Sequence, residues 1–239
     1  MFPLKDDNPT KITPIITWVL IALNVLVFFY QVSLGPRGGQ LFVYQYGAIP
    51  AVVTGQEQLP ARVAAVPPLM SVFTSMFLHG GWMHLIGNMW FLWIFGNNIE
   101  EAMGGLRYLL FYLICGFVAS LGHILANTVS TVPSIGASGA ISGVLGAYLM
   151  LYPRARVLTL IFLGFFVRLL WIPAGFVLGL WFLIQLFNGS MAGPQNAGGV
   201  AFWAHVGGFI AGVLLVGLFK KREVHFFNPP RHQVSLNYD

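Results

Sequence analysis

Gly136, Ala137, Ser138 and Gly139 set a serine between glycines at the start of one apolar run, and His205 lies near the start of another. A helix opening at Ser138 leaves its first backbone N–H groups without intrahelical acceptors. Those groups, at the positive end of the helix dipole, favour a developing oxyanion. A serine hydroxyl becomes a useful nucleophile when a base takes its proton, and histidine is suited to that task. His84 and Asn88, four apart and therefore on one helical face, offer side-chain donors for the same oxyanion. Each feature also has a plainer reading. Gly-x-Ser-Gly suits a small-residue packing face, and intramembrane His or Asn side chains can serve as interhelical hydrogen-bond partners.

Depth favours the chemical reading. Ser138 lies sixteen residues before Arg154, His84 sixteen before Glu100 and His205 fifteen before Lys220. At about 1.5 Å per residue, all three sit roughly 22 to 24 Å above one charged boundary. In a hydrocarbon core about 30 Å thick, that plane lies just below the opposite surface. Irregular backbone before Ser138 is tolerable there only when buried in protein or lining a wet cavity, so a small cavity open to the outside is expected. Gly139, Gly143 and Gly146 on one helix, with Gly208 and Gly212 on the other, have the spacing of closely packed helices. His205, three residues before Gly208, shares that face and should point at Ser138.

Of the seven acidic residues, Asp6, Asp7, Glu100, Glu101, Glu223 and Asp239 fall on the inner side by this reading, and Glu57 lies in a loop. A Ser/His dyad without a carboxylate is therefore expected. His79 should tie down the loop before the second helix, His123 serves a structural hydrogen bond, and His225 and His232 belong to the polar tail. Cys115, the single cysteine, reads as a small buried packing residue and excludes an internal disulfide. No His-Glu-x-x-His pattern occurs, which argues against a zinc protease.

The elements that must carry these residues are membrane spans. Hydrophobic residues make up 57% of the 239 and charged residues only 8%, against about 25% in an ordinary soluble domain. Charge-poor runs occur at 14–34, 82–98, 108–128, 138–152, 174–187 and 200–219. Six spans place both termini on one side. With that side inside, ten basic residues (Lys5, Lys11, Arg107, Arg154, Arg156, Arg168, Lys220, Lys221, Arg222 and Arg231) lie within, while Arg37 and Arg62 lie without. The net charge of +5 is thus dispersed over membrane flanks and does not form a nucleic-acid-binding stripe. Residues 35–81 read as an outer interfacial loop, and 156–171 as an inner interfacial segment too short between Arg156 and Arg168 to cross. The expected organisation is a cytoplasmic tail at 1–13, a six-helix all-α domain at 14–219 and a second cytoplasmic tail at 220–239. No leader or further soluble domain is expected.

The motifs HGGWMHLIGN, GNNIEEAMG, GASGAISG and AHVGGFIAG, in this order and at these span positions, resemble the rhomboid intramembrane serine proteases. The resemblance implies a six-helix bundle whose outward cavity admits a transmembrane segment of a single-pass or polytopic substrate and cleaves it near the outer face. Ser138 and His205 would be catalytic, Asn88, His84 and the Ser138 N–H would hold the oxyanion, and residues 35–81 would form the family's membrane-embedded first loop. Neither metal nor organic cofactor is implied. Two departures stand out: Met70 and Ser71 occupy the place of a common Trp-Arg pair, and Ser142 that of an aromatic residue found in some members. The setting fits an integral protein of a prokaryotic plasma membrane. The rivals are a rhomboid-like pseudoprotease that binds transmembrane helices without cutting them, and a small-solute transporter or channel. The pseudoprotease usually lacks a dyad residue. The transporter would need polar residues continuing inward, where Met89 to Trp93 look sealed.

Overall fold

The computed structural model describes residues 1–163, 166–191 and 201–228. Each apolar run seen in the sequence is a helix: α1 (Ile15–Ser33), α5 (Trp82–Met103), α6 (Gly105–Ala126), α7 (Ser138–Leu151), α8 (Ala174–Met191) and α9 (Phe202–Phe219). Among the described residues, α1, α6, α8 and α9 are long and apolar enough to cross a membrane. The 22 residues of α5 have the length, but they carry Asn88, Asn97, Asn98, Glu100 and Glu101. The 14 residues of α7 span only about 21 Å. Residues 35–81 are not an irregular loop but contain α2 (Gly35–Tyr46), α3 (Pro50–Val53), α4 (Pro68–Thr74) and a 3-10 turn, Ser75–Phe77.

The all-α expectation needs correction. The segment after α7 forms an antiparallel hairpin, β2 (Arg156–Leu163) and β3 (Phe166–Pro173), and the N-terminal β1 (Phe2–Asp6) adds to β2 as a third strand. Val157, Thr159, Ile161, Val167, Trp171 and Ile172 suit a pleated surface better than a helix, and pairing satisfies backbone groups that a lone interfacial segment would leave open. The tail is therefore docked: Trp90 Nε1–H donates to the Pro3 carbonyl at 2.7 Å and Asn98 Nδ2–H to the Asn8 carbonyl at 2.8 Å. Val200, the expected start of the last span, and Arg231, His232 and Asp239 lie outside the described residues.

α7 is the buried axis of the bundle, with every residue from Gly139 to Tyr148 shielded from solvent. A Cβ placed on Gly208 would land on the Gly139 carbonyl, and one on Gly212 would land on that of Gly143. On the other side of α7, Gly143 packs on Cys115 and Gly139 on Ala119, both on α6. Without a hydrophobic driving force between helices in lipid, this close approach is what lets van der Waals contact hold them. At one end of the bundle the buried Glu100 carboxylate accepts the Ile16 N–H at 2.9 Å and the Thr17 N–H and hydroxyl at 2.8 Å each, capping α1 where no local side chain does. Lys221 N–H donates to the Ala102 carbonyl at that end, so α1, α5 and α9 meet there.

Asp6, beneath α7, accepts a hydrogen bond from the Tyr148 hydroxyl. Burial pushes its carboxyl up from 3.8 to about 6, against the opposing effect of that hydrogen bond. A raised folded-state value means that this group's stabilising contribution is complete below about pH 4 and is lost as pH rises through 6. Asp6→Asn should therefore gain on the wild type in thermal unfolding in detergent as pH goes from 4 to 7; a constant difference between the two would contradict this. Gly212→Ala should lower stability by about 1–3 kcal/mol through overpacking against α7, and an unchanged unfolding temperature would argue against the contact.

Candidate active site

Glycine spacing brings the first turn of α7 beside the first turn of α9, and the side chains of Ser138 and His205 follow. His205 Nε2 lies 2.8 Å from Ser138 Oγ, hydrogen-bond distance between a hydroxyl and an imidazole on separate helices. Both line a cavity of about 610 Å³ with His84, Asn88, Ile141, Leu145 and Trp181. The four polar side chains singled out in the sequence thus border a single hollow.

The backbone approaching Ser138 is held from the long loop. Gly136 N–H donates to the Ser75 carbonyl at 2.9 Å, and Ala48 and Ser134 exchange two backbone hydrogen bonds at 3.1 and 2.8 Å. Gly136 adopts φ +124°, and a Cβ there would stand 2.8 Å from His84 Cε1 and Nε2. Only glycine combines that backbone with that contact. Ser138 then opens α7 with no side chain capping it, which leaves the first-turn N–H groups free of intrahelical acceptors.

His84 Nδ1 accepts the Gly80 N–H at 3.2 Å. A backbone N–H can only donate, so the ring proton of neutral His84 sits on Nε2, the atom facing Gly136. Asn88 Nδ2 is buried and has no hydrogen-bond partner among the described residues. A buried unpaired donor is costly to fold, and here it borders the cavity that Ser138 also lines. His84 and Asn88 thus line the same cavity as Ser138.

Of the glycines singled out in the sequence, Gly139 and Gly143 meet Gly208 and Gly212 across the two helices, whereas Gly136 faces the His84 ring. At His79 the tie to α1 runs through the backbone, Gln31 Nε2–H donating to its carbonyl at 2.8 Å, while both imidazole nitrogens are buried without a partner among the described residues. His123 departs from expectation, because its Nδ1 is buried without a partner among the described residues. Ser142 Oγ–H turns back to the Ser138 carbonyl at 2.6 Å, a bond within α7. Ser71 likewise bonds the Pro68 carbonyl within α4, and Met70 is exposed. The first loop instead gains support from the Thr74 hydroxyl donating to the Tyr46 carbonyl at 2.6 Å.

Two neighbours of His205 escaped the sequence reading, and both lie on α8. Gln185 Oε1 is 2.8 Å from His205 Nδ1, and the Trp181 ring lies 5.8 Å from the imidazole, centroid to centroid. The available signal was a glutamine inside an apolar span, four residues after a tryptophan. Among the described residues, no group of three or more His, Cys, Asp or Glu could hold a metal ion.

The Rhomboid domain family matches residues 67–222, from α4 to just past α9, and this chain belongs to that family. The chain is 31% identical over 149 residues to "Rhomboid protein 1, mitochondrial" of Saccharomyces cerevisiae, covering 61% of this chain and 40% of the relative. It is 34% identical over 136 residues to "Rhomboid protease GluP" of Bacillus subtilis, covering 57% and 24%. It is 31% identical over 159 residues to "Rhomboid-like protein 11, chloroplastic" of Arabidopsis thaliana, covering 65% and 54%. The matches thus cover 24 to 54% of these three relatives' own lengths. Family and apolar helices together make the chain an integral membrane protein. Mitochondrial and chloroplastic names stand beside the Bacillus one, so the relatives do not favour the prokaryotic plasma membrane expected from the sequence.

Gly136→Ala should cost about 1–3 kcal/mol through backbone strain and displace His84. Thermal unfolding measures the first effect and a crystal structure of the variant the second; an unmoved imidazole would contradict the account of this turn.

Proposed function

We propose that the protein is an intramembrane serine endopeptidase that cleaves transmembrane segments of single-pass or polytopic membrane proteins near the outer face. The observation that carries this reading is the 2.8 Å approach of Ser138 Oγ to His205 Nε2 inside a cavity bordered by the unpaired Asn88 Nδ2. A substrate segment enters, loses its helical hydrogen bonds and presents a carbonyl carbon to Ser138. His205 Nε2 takes the hydroxyl proton as the Ser138 oxygen bonds to that carbon, and the oxyanion faces Asn88, His84 and the Ser138 N–H. His205 returns the proton to the leaving amine as the peptide bond breaks, and water, deprotonated by the same imidazole, hydrolyses the acyl-enzyme.

In this reading α1, α5, α6, α7, α8 and α9 are six spans forming a protease domain at 14–219. Residues 1–13 and 220–239 then lie on the cytoplasmic side, and the site opens outward. The short α7 supports this arrangement, since a helix of 14 residues beginning at the site leaves room for water above the serine. The pseudoprotease reading finds less support, because both a nucleophile and a base are present and in contact.

With a model transmembrane substrate in liposomes, Ser138→Ala and His205→Ala should abolish cleavage while both variants stay folded. Asn88→Ala should lower kcat by about 10²–10³-fold, the usual effect of losing one oxyanion donor. Wild-type cleavage by Ser138→Ala would end the proposal.

A further inference from the structure

We propose that Gln185 is a positioning residue that fixes the His205 tautomer, taking the place that an acidic side chain holds in a triad. This rests on the reading of Ser138 and His205 as nucleophile and base. A neutral imidazole carries one ring proton, and for Nε2 to accept from Ser138 that proton must sit on Nδ1. Nδ1 faces Gln185 Oε1 at 2.8 Å, and Gln185 is buried. The amide oxygen accepts the Nδ1–H, fixing both the tautomer and the plane of the ring.

Trp181 completes the arrangement. It stands one turn before Gln185 on α8, so both side chains project from one face of that helix. Its ring lies 5.8 Å from the imidazole and is tilted 36° to it, while the Ser142 hydroxyl turns back on its own helix. α8 thus supplies both the hydrogen-bond acceptor and the aromatic wall for a histidine carried on α9.

An amide differs from a carboxylate in one consequential way: it cannot take a proton and carries no net charge. The imidazolium formed during acyl transfer is therefore met by a dipole only. The other titratable groups acting on His205 are His84 from α5 and His123 from α6. None of the acidic residues on the described elements hydrogen-bonds or ion-pairs with His205. A carboxylate at position 185 should stabilise the imidazolium and shift the acidic limb of the activity profile to higher pH.

The test compares wild type, Gln185→Met, Gln185→Glu and Ser138→Ala with the same transmembrane substrate in liposomes, from pH 5 to 9. Gln185→Met, close in volume but without a strong acceptor, should lower kcat roughly tenfold with KM little changed. Gln185→Glu should keep most of the activity at pH 8, with its acidic limb about one pH unit higher. A wild-type kcat in Gln185→Met, or a Gln185→Glu enzyme as impaired as Gln185→Met, overturns the proposal. Independently of any substitution, nitrogen NMR of histidine-labelled wild type should show the Nδ1–H tautomer for His205, and the Nε2–H tautomer overturns it. Should Ser138→Ala cleave like wild type, the underlying protease reading falls; should it be inactive while Gln185→Met is unimpaired, only the role of Gln185 falls.

Discussion

The close approach of α7 and α9 is the constraint from which the rest of this structure follows. Glycines at Gly139 and Gly143 meet glycines at Gly208 and Gly212, with the backbone carbonyls of one helix occupying the space that side chains would take on the other. In lipid, where apolar side chains gain nothing by leaving water, such contact is among the few forces that hold two helices in register. The register matters because Ser138 precedes Gly139 by one residue and His205 precedes Gly208 by three. Small residues thus fix the helix spacing, and the spacing sets the hydrogen bond between hydroxyl and imidazole.

The remaining elements support that pair. α6 closes the opposite side of α7 through Cys115 and Ala119. The long segment after α1 does more than lie at an interface: through Ala48 and the Ser75 carbonyl it holds the positive-φ turn at Gly136, which sets where α7 begins. α8 reaches His205 from the side away from the serine. Glu100 at the far end joins α5 to α1 by capping a helix that has no cap of its own. Polar groups are expensive within a membrane, and each of these either completes a backbone or borders the cavity.

Much of this was legible in the sequence because membrane spans announce themselves by composition and length. The helix starts at Trp82, Ser138 and Ala174 coincide with the runs read from residues alone. Ser138, His205 and His84 could be grouped from the sequence because their distances from charged ends agree, and Asn88 because it lies four residues from His84 on the same helical face. The sheet was not. Phe2–Asp6 pairs with residues some 150 positions later, and short apolar strands carry no period that separates them from an interfacial segment. Gln185 and Trp181 were missed for a related reason: their roles depend on how α8 is rotated against α9, which composition does not encode. Glu100 served as a depth marker in the sequence, yet its function as the cap of α1 required the fold.

If the protein is a protease, His205 must make the Ser138 hydroxyl nucleophilic. The most direct measurement is peptide mass spectrometry of the membrane-embedded protein after reaction with a fluorophosphonate, which forms a covalent bond to an activated serine oxygen. An adduct is expected on Ser138 in the wild type and none in His205→Ala. An adduct on a different serine, or equal modification of Ser138 without His205, would contradict it.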